Sequence, residues 1–381
     1  MSMVKRSFWI SAIEKQWQKR SLIWLSGVRR AGKTMLCQSL DNVEYFDCEL
    51  PRIRERMEDP EAFWKTLRGK RIVLDEIHRQ RNPSEVLKIA TDHFSDIKVI
   101  ATGSSTLSAT AKFKDTLAGR KSTLHLTPMI SQDLVDFNAP DLSHRFLNGG
   151  LPPFFLSSAP EDKEFQEWLD AFWSKDILEL FRLERRHSFL KFAEMLFTQS
   201  GSMFEASRFA APCEVSRTTI SNYLNVLAST HVVAIIRPYS SYKTAEIVAA
   251  PKVYAFDTGF VSYYKGWQKL RTDDMGLLWE QFVLNELTGA LQTPDIHYWR
   301  DKADHEIDFV IPAHGGNVDT IECKWSHRTL GPENLVSFRK RHPAGLNYVV
   351  CADVTESYAA RIGGIPVEYV TLHDLLVRMH H

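Results

Sequence analysis

The sequence predicts an α/β protein whose amino-terminal part is built on a parallel β-sheet. Three short apolar runs, Leu22–Leu25, Arg71–Leu74 and Ile97–Thr102, are each of a length typical of one buried strand. A glycine-rich turn follows the first run, and a stretch that favours a helix, Met35–Leu40, follows the turn. This succession of strand, turn and helix is typical of the first unit of a parallel α/β sheet.

The glycine-rich turn fits a phosphate-binding pattern. Residues 27–34 read GVRRAGKT and match G-x-x-x-x-G-K-[ST], in which main-chain N–H groups surround the phosphates of a nucleoside triphosphate. We expect Lys33 to reach the β- and γ-phosphates of ATP and the Thr34 hydroxyl to bind Mg²⁺. The residues predicted to contact the nucleotide are Gly27, Val28, Arg29, Arg30, Ala31, Gly32, Lys33, Thr34 and Met35.

The second and third runs end in residues suited to ATP hydrolysis. Asp75 is predicted to hold Mg²⁺ through water, and Glu76 to orient the attacking water. The alternative is a core strand that ends in a solvated acidic turn. The third run leads into Ser104, which is a candidate catalytic sensor of the γ-phosphate or a simple turn residue.

The segments GVRRAGKT, VLDEIH, ATGSS and TLAGR together resemble the prokaryotic AAA_14/DUF4143 family, whose core is a P-loop NTPase of the ASCE/AAA type. The resemblance implies a parallel-sheet ATPase core at residues 1–138 and a helical lid at 139–190. It further implies a winged helix at 191–268 and a C-terminal α/β nuclease-like domain at 269–381. Assembly into a homo-oligomer, with a ring as one arrangement, is also implied.

The same resemblance adds candidate arginines. Arg120 matches an arginine finger that reaches the γ-phosphate bound to a neighbouring subunit, and its alternative is a surface arginine at a helix end. The lid implies a further nucleotide-sensing arginine, for which Arg145, Arg182 and Arg185 stay open. His78 stands where the family commonly has glutamine, and we expect this departure not to touch the phosphate chemistry.

The composition excludes some classes of protein. Lys and Arg together number 47, as do Asp and Glu, so no global basic field indicates nucleic acid and any DNA contact must come from local patches. The five cysteines show no metal-binding spacing and are expected to be buried, reduced thiols. No apolar stretch has the length of a signal peptide or a membrane span, and we expect a soluble cytoplasmic protein.

Residues near 191–240 have the pattern of a winged helix. A short helix near 204–210 precedes Ser216, which is a good N-cap for a second helix from Arg217 to Ser229, and a β-run follows. Such a second helix enters the DNA major groove in helix-turn-helix proteins, whereas in other ATPases the module packs against protein. The side chains expected to face outward are Arg217, Thr218, Thr219, Ser221 and Asn222.

The last part of the chain carries a second group of polar residues. Alternation places Glu322 and Lys324 on one face of a strand, and a hairpin would bring Asp308 beside Glu322. With Glu280 from a preceding helix, Asp308 and Glu322 are candidate ligands for Mg²⁺ or Mn²⁺, and Lys324 would support the nucleophile or the leaving oxyanion. The set resembles the PD-(D/E)xK nuclease core. The pattern D…ExK is short, so charged residues of an edge strand are the alternative.

Two neighbouring segments are predicted to have no catalytic role. His297, Trp299, Asp304 and His305 flank the acidic group and are expected in solvated loops, although one of them could join the site. The motif P-K-x-Y-x-x-D-x-G at residues 251–259 also matches the family and is expected to form a turn between the winged helix and the last domain.

Two functions from different classes therefore stay open. In the first, an Mg²⁺-dependent AAA-type ATPase acts on DNA through its winged helix and nuclease-like domain. In the second, a nucleotide-gated switch or scaffold binds a protein partner, and its C-terminal domain cuts nothing. The neutral net charge favours the second, whereas the intact set of Glu280, Asp308, Glu322 and Lys324 favours the first.

Overall fold

The computed structural model describes residues 4–103, 116–139, 141–158, 161–181, 183, 185–240, 250–293, 295–327 and 331–379. The chain forms two compact units, which are here called the first and the second unit. The first unit comprises Met1–Leu142, Gly150–Arg186 and Ser229–Val232, and the second comprises Ser143–Gly149, His187–Ala228 and Val233–His381. The four domain boundaries expected from the sequence stay predictions.

The first unit contains the parallel sheet that the sequence predicts, so the expected α/β class is confirmed. Its strands in the described residues are β1 (Leu22–Ser26), β2 (Val43–Asp47), β3 (Arg71–Asp75), β4 (Lys98–Thr102) and β5 (Lys121–His125). All neighbouring pairs are parallel, and the order is β2-β3-β4-β1-β5. Strand β2 was missed by the sequence analysis. Because β4 lies between β1 and β3, the carboxyl ends of these three strands meet at one edge.

Helices connect these strands and continue beyond them. The α-helices up to residue 181 are α1 (Ser7–Lys19), α2 (Lys33–Gln38), α3 (Pro51–Arg56), α4 (Pro60–Lys65), α5 (Pro83–His93), α6 (Ser131–Asp136), α7 (Leu142–Asn148), α8 (Pro152–Phe155), α9 (Asp162–Phe172) and α10 (Leu178–Phe181). A 3₁₀ turn covers Ile77–Arg79, and a π-helical turn, Trp173–Ile177, joins α9 to α10. No helix in the described residues is long and apolar enough to cross a membrane.

The core of the first unit lies on the sheet, because its central strands are covered on both faces. Every residue of β1 is buried, and Trp24, Ile72, Leu74 and Val99 belong to one apolar cluster. Such continuous burial explains why the central strands read as unbroken apolar runs in the sequence. Strand β2, whose residues are mostly half-buried, carries a more polar sequence. It is at the edge of the sheet, and this position accounts for its weaker signal.

The second unit is built on a larger mixed sheet. Its strands in the described part of the chain are β6 (Ser202–Met203), β7 (Val233–Pro238), β8 (Lys252–Ala255), β9 (His297–Arg300), β10 (Glu306–Pro312), β11 (Val318–Lys324), β12 (Asn347–Cys351), β13 (Tyr358–Ile362) and β14 (Ile365–Val370). Their order is β13-β14-β12-β11-β10-β9-β7-β8-β6. The parallel pairing of β7 with β9, at Arg237 with His297, joins the strands of the winged-helix segment to those of the last domain.

The helices of the second unit begin with α7. They continue with α11 (Arg186–Thr198), α12 (Ala206–Ala210), α13 (Arg217–Ser229), α14 (Thr258–Tyr264), α15 (Thr272–Leu291), α16 (Glu333–Arg341) and α17 (Leu372–Met379). The bounds of α13 agree with the sequence prediction, and Ser216 Oγ accepts a hydrogen bond from the Thr219 N–H at 3.1 Å, as expected of an N-cap. Residues 241–249, between β7 and β8, lie outside the described residues.

The order of elements from α11 to β8 is that of a winged helix. Helices α11, α12 and α13 are followed by the antiparallel pair of β7 and β8, with β6 on the other side of β8. Helix α13 buries Ile220, Tyr223, Leu224 and Leu227, as the sequence predicts. The five cysteines are all buried and free, which also agrees with the prediction.

The sequence prediction for the region around residue 300 is wrong in one respect. His297 and Trp299, expected in a solvated loop, lie in β9, and Trp299 is buried. The reason is that β9, although only four residues long, lies between β7 and β10 in the interior of the sheet. Asp304 and His305 lie in the connection to β10, where the Asp304 carboxylate pairs with Arg300 and the His305 ring with Asp301.

The motif at residues 251–259 is more than a turn. Strand β8 contains its first half, and Asp257 caps helix α14 by accepting a hydrogen bond from the Gly259 N–H at 2.9 Å. The buried Arg145 guanidinium lies 3.6 Å from the Asp257 carboxylate and donates to the Thr258 hydroxyl at 2.8 Å. Gly259 lies so close to helix α7 that an added Cβ would be 2.6 Å from the main chain of Asn148.

Replacing Gly259 by alanine is therefore expected to destabilise the second unit. A Cβ there overlaps main chain that cannot rotate away, and overpacking of this kind costs about 1–3 kcal/mol. Gly276→Ala is the matched control, because it is also a helical glycine and nothing lies within 4 Å of its added Cβ. Differential scanning calorimetry of the full chain should show a lower melting temperature for Gly259→Ala only. Equal melting temperatures for the two variants would contradict the packing described here.

Candidate functional site

The phosphate loop lies between β1 and α2 in the first unit. Gly32, just before α2, has a φ of 96°, a left-handed conformation that favours glycine. The Lys33 ammonium donates hydrogen bonds to the main-chain oxygens of Gly27 at 2.8 Å and Val28 at 3.1 Å, so it lies across its own loop. Burial lowers the pKa of Lys33, although Glu76, Asp176 and Asp75 act against this shift. The loop thus holds a cation at its centre.

Asp75, at the end of β3, accepts hydrogen bonds from three hydroxyl groups. Thr34 donates to its Oδ2 atom at 2.8 Å and Tyr45 to the same atom at 2.5 Å, while Thr102 donates to Oδ1. These donors come from α2, β2 and β4. The Asp75 side chain is 3% exposed, so the three bonds satisfy a carboxylate that water scarcely reaches. The structure therefore brings together Thr34 and Asp75, the two predicted magnesium ligands.

Glu76 follows Asp75 with a left-handed backbone, at φ 56°. Its N–H donates to the Thr102 hydroxyl at 3.0 Å, and its carboxylate lies 3.0 Å from His78 Nδ1. Although burial raises the pKa of Glu76, the hydrogen bond and charge of His78 and the charges of Lys33 and Arg29 together outweigh it and lower the pKa. His78 therefore contacts a predicted catalytic residue, and the expectation that it does not touch the phosphate chemistry stays a prediction. The turn at Ile77–Arg79 folds the ring back onto the predicted catalytic carboxylate.

A cavity of about 510 Å³ opens beside the loop, a volume that suits a nucleotide-sized ligand. Its lining includes loop residues and Glu76, together with the apolar residues Pro152, Pro153, Leu156 and Phe172. Arg29 of the loop pairs with Asp176 of the π-helical turn at 2.9 Å, and Trp168 Nε1 donates to the Arg29 main-chain oxygen at 3.1 Å. The loop is thus held by α9 and by the turn that follows it.

Two histidine rings pack together near the loop. The ring centroids of His125, at the end of β5, and His231 are 4.1 Å apart, and His125 Nδ1 lies 3.3 Å from the Ser26 hydroxyl. Burial, and then the neighbouring Lys33 charge, lower the pKa of His231 to about 4. Burial, His231 and Lys33 lower the pKa of His125 in the same direction. Both rings are therefore neutral at neutral pH.

The remaining predicted residues of the nucleotide site have different locations. Arg120 directly precedes β5, whereas the phosphate loop follows β1, so it lies at the opposite edge of the parallel sheet and pairs with Asp92 at 2.7 Å. Ser104 and Arg182 lie outside the described residues. Arg145 is 1% exposed within the second unit and is bonded to Thr258, so its guanidinium is not available as a nucleotide sensor. Arg185 is exposed.

The predicted acidic group of the second unit comes together in a hairpin. Strands β10 and β11 are antiparallel with Phe309 opposite Ile321, which places Asp308 beside Glu322. The Lys324 ammonium donates to Glu322 Oε2 at 2.8 Å and to Asp308 Oδ2 at 3.3 Å. Burial and the Asp308 charge raise the pKa of Glu322 to about 8. Within the described residues, Glu322 Oε1 is buried and receives no hydrogen bond.

Glu280, on α15, belongs to an adjoining group that the sequence analysis missed. Its Oε1 atom accepts hydrogen bonds from the Tyr254 hydroxyl at 2.5 Å and from the Lys252 ammonium at 3.3 Å. The same ammonium lies 2.5 Å from Glu306. Burial lowers the pKa of Lys252, but Glu280 and Glu306 outweigh it and raise the pKa. Lys252 and Tyr254 belong to the motif for which no role in the site was expected.

The acidic group fits a divalent cation held by two carboxylates. The unpartnered Glu322 Oε1, beside Asp308, is the kind of buried oxygen that a metal ion satisfies. No cluster of three histidine, cysteine or acidic side chains close enough for a metal is found in the part of the chain that the structure describes. Glu280 accepts hydrogen bonds from Lys252 and Tyr254. The roles of Glu280, Asp308 and Glu322 as metal ligands stay predictions.

The parallel sheet with a phosphate loop after β1 and an acidic pair after β3 defines a P-loop ATPase of the AAA type. Three sequence profiles match the chain: an AAA domain of the AAA_14 family at residues 19–135, and the domains of unknown function DUF8612 at 139–271 and DUF4143 at 275–368. Residues 19–135 thus form an AAA-type P-loop ATPase domain of the AAA_14 family, and residues 275–368 a DUF4143 domain. The DUF8612 match spans both segments that the sequence analysis separated into a lid and a winged helix.

The chain is similar to two uncharacterized proteins and to several solved structures. Uncharacterized proteins of Mycobacterium bovis and Mycobacterium tuberculosis are each 26% identical to this chain over 325 residues, which is 82% of this chain and 72% of the relative. The Walker-type ATPase paby2304 of Pyrococcus abyssi is similar with a TM-score of 0.45 and 14% identity over 69% of this chain and 96% of that chain. A Bacillus subtilis DNA clamp loader delta protein (YqeN) is similar with a TM-score of 0.26 and 11% identity, over 72% and 99%.

The histidine pair predicts a pH dependence of stability. The pKa of His231 falls from 6.5 to about 4 on folding, so between these pH values the unfolded chain binds more protons than the folded chain. Stability must therefore be lost as the pH falls through this window. His231→Asn removes the titrating ring and tolerates the left-handed backbone at this position, where φ is 62°.

Thermal denaturation of the two proteins at several pH values between 8 and 4 checks this prediction. We expect the melting temperature of the first unit to fall less on acidification in the variant than in the wild type, because only His125 then remains. The same acid-induced loss in both proteins would contradict the burial of a neutral His231.

Proposed function

We propose that the protein hydrolyses ATP with Mg²⁺ at the phosphate loop of the first unit. The contact between the Thr34 hydroxyl and the Asp75 carboxylate, at 2.8 Å, supports this proposal most strongly, because both groups are oxygen ligands of the kind that Mg²⁺ prefers. When bound, Mg²⁺ would neutralise charge on the β- and γ-phosphates. Lys33 would leave the main-chain oxygens of its own loop and donate to the same phosphates.

Glu76 would then orient the attacking water. Its carboxylate lines the cavity beside the loop, and the hydrogen bond from its N–H to Thr102 fixes its position relative to Asp75. His78, Lys33 and Arg29 together favour the charged form of the carboxylate, in which it accepts a hydrogen bond from water. The apolar wall of Pro152, Leu156 and Phe172 would contact the base.

Variants of Glu76 and Lys33 test this part of the proposal. Glu76→Gln should lower Mg²⁺-dependent ATP turnover by about 100-fold or more, because a neutral amide cannot polarise the water, while ATP still binds. Lys33→Ala should lose both binding and turnover. The measurements are steady-state phosphate release and equilibrium binding of a fluorescent ATP analogue. Wild-type turnover in Glu76→Gln would rule out Glu76 as the water-orienting residue.

We further propose that Arg120 acts on the nucleotide of a neighbouring copy of this chain. Arg120 precedes β5, whereas its own phosphate loop lies at the carboxyl ends of the strands. The five residues of β5 separate these two ends of the sheet by about 16 Å. Its partner Asp92 is partly exposed, and such a surface ion pair contributes little to stability. Arg120 can therefore exchange that partner for a phosphate presented by another subunit. This role implies a homo-oligomer.

DNA is the proposed macromolecular partner of the second unit. Helix α13 exposes Arg217, Thr218, Ser221 and Asn222 on the face opposite its buried apolar residues, and only Thr219 of the predicted outward set is half-buried. Arginine and asparagine at the amino end of such a helix are suited to contacts with phosphates and base edges. This exposed polar face is the observation that favours DNA over a protein partner.

Binding of duplex DNA is expected to depend on Arg217. Arg217→Ala should weaken binding and lower the slope of log affinity against log salt by about 1, as for the loss of one phosphate contact. Arg208→Ala is the matched control, because Arg208 is an exposed arginine on α12 that already pairs with Glu205 at 3.1 Å. Fluorescence anisotropy of a labelled duplex measures both quantities. Equal affinities of the two variants would contradict a role of α13.

The group formed by Asp308, Glu322 and Lys324, here called the carboxyl-terminal centre, is the proposed site of metal-dependent DNA hydrolysis. Asp308 and Glu322 would hold the cation, and Lys324 would stabilise the leaving oxyanion. The alternative is a nucleotide-gated switch whose last domain is catalytically silent, and the lysine partners of the acids favour it. Mg²⁺- or Mn²⁺-dependent nicking that Asp308→Ala abolishes would support hydrolysis. ATP turnover without any nicking and without a response to DNA would support the switch.

A further inference from the structure

We propose that Lys252 is an internal cation that withholds Glu280 from the divalent metal ion of the carboxyl-terminal centre. The centre of the intact protein then offers the metal two carboxylates, Asp308 and Glu322, rather than three. This inference rests on the metal-binding part of the proposed function, and it is independent of ATP hydrolysis and of DNA recognition.

The first support is the position of the Lys252 ammonium. It lies 3.3 Å from Glu280 and 2.5 Å from Glu306, and its side chain is 5% exposed. A buried ammonium is stable only where carboxylates compensate its charge, and these two acids do so. Withdrawing Glu280 would leave part of that charge uncompensated. Lys252 therefore holds Glu280 in place.

The second support is the hydrogen bonding of the Glu280 carboxylate. Its Oε1 atom accepts from both Lys252 and the Tyr254 hydroxyl, and the latter contact is 2.5 Å. Because one of these two donors is a buried ammonium, a metal ion could bind this oxygen only by displacing a cation. Glu322 accepts a hydrogen bond from Lys324 on its Oε2 atom, but its Oε1 atom is buried and receives no hydrogen bond within the described residues.

The third support is the origin of the cation in the fold. Lys252 and Tyr254 both lie on β8, which pairs with β7 of the winged helix, whereas Glu280 lies on α15 and Glu306 on β10. The side chains of alternate residues of a strand share one face, so both donors point at the same acid. A metal ion that bound Glu280 would also place its charge beside that of Lys252. Repulsion between the two cations then opposes a third carboxylate ligand.

Titration of the nucleotide-free full chain with Mn²⁺, with free Mn²⁺ followed by electron paramagnetic resonance, tests the inference. Asp308→Asn is the blank, so that only the cation at this centre is counted. We expect Glu280→Gln to leave the Asp308-dependent affinity of the wild type unchanged. Lys252→Met should raise it by about 10-fold or more, the effect typical of groups that control a metal ligand. Lys252→Arg, which keeps the charge, should not raise it.

The double variant Lys252→Met with Glu280→Gln should lose the gain, because Glu280 is the ligand that Lys252→Met releases. If Glu280→Gln weakens Mn²⁺ binding of the wild type about 10-fold, Glu280 is already a ligand and the inference is overturned. This arm decides the question even if Lys252→Met fails to fold, which circular dichroism would show. The inference is also overturned if the Asp308-dependent Mn²⁺ affinity of a folded Lys252→Met variant equals that of the wild type. If no protein binds more Mn²⁺ than Asp308→Asn, the metal-binding centre and this inference fail together.

Discussion

The first unit depends on one buried carboxylate, Asp75. A charge in so dry a place is stable only with full hydrogen bonding, and the hydroxyl groups of Thr34, Tyr45 and Thr102 provide it. These donors come from a helix and two strands, so the acid fixes the start of α2 and the register of the sheet at the same time. The phosphate loop and the acidic pair after β3 therefore cannot shift independently. The groups expected to bind the nucleotide and its metal ion are therefore already in place before the nucleotide binds.

In the second unit, buried carboxylates are stabilised by lysine ammonium groups instead of hydroxyl groups. Asp308 and Glu322 lie beside Lys324, and Glu280 and Glu306 lie beside Lys252. Each acid thus has an ammonium partner, and within the described residues Glu322 also has a buried oxygen without a donor. The hydroxyl donors of Asp75 carry no net charge, whereas the ammonium partners of the second unit repel a metal ion. The two sites differ in this respect, although both are built from strand-end or strand-face acids.

The sequence predicted the features that consecutive residues carry. The phosphate loop, the helix from Arg217 to Ser229 and the acidic hairpin all follow from local patterns, because each pattern decides its own backbone geometry or strand face. Residues that act from a distance were missed. Tyr45 is 30 residues from Asp75 and is brought to it by the order of strands, whereas Lys252 is 28 residues from Glu280 and is brought to it by the packing of α15 against the sheet. Tyr45 was missed because its edge strand is only weakly apolar. Lys252 was missed because its motif was interpreted as a turn.

The parallel pairing of β7 with β9 has a consequence for dissecting the molecule. Because of it, the strands of the winged helix and those of the DUF4143 segment form one continuous sheet, and a cut between them would leave two unpaired edges. Either half expressed alone would present main-chain donors and acceptors that favour self-association. The smallest piece that keeps every edge of this sheet as it is in the intact protein is the whole second unit. Truncation at the profile boundary near residue 275 is therefore a poor guide to an independently folding fragment.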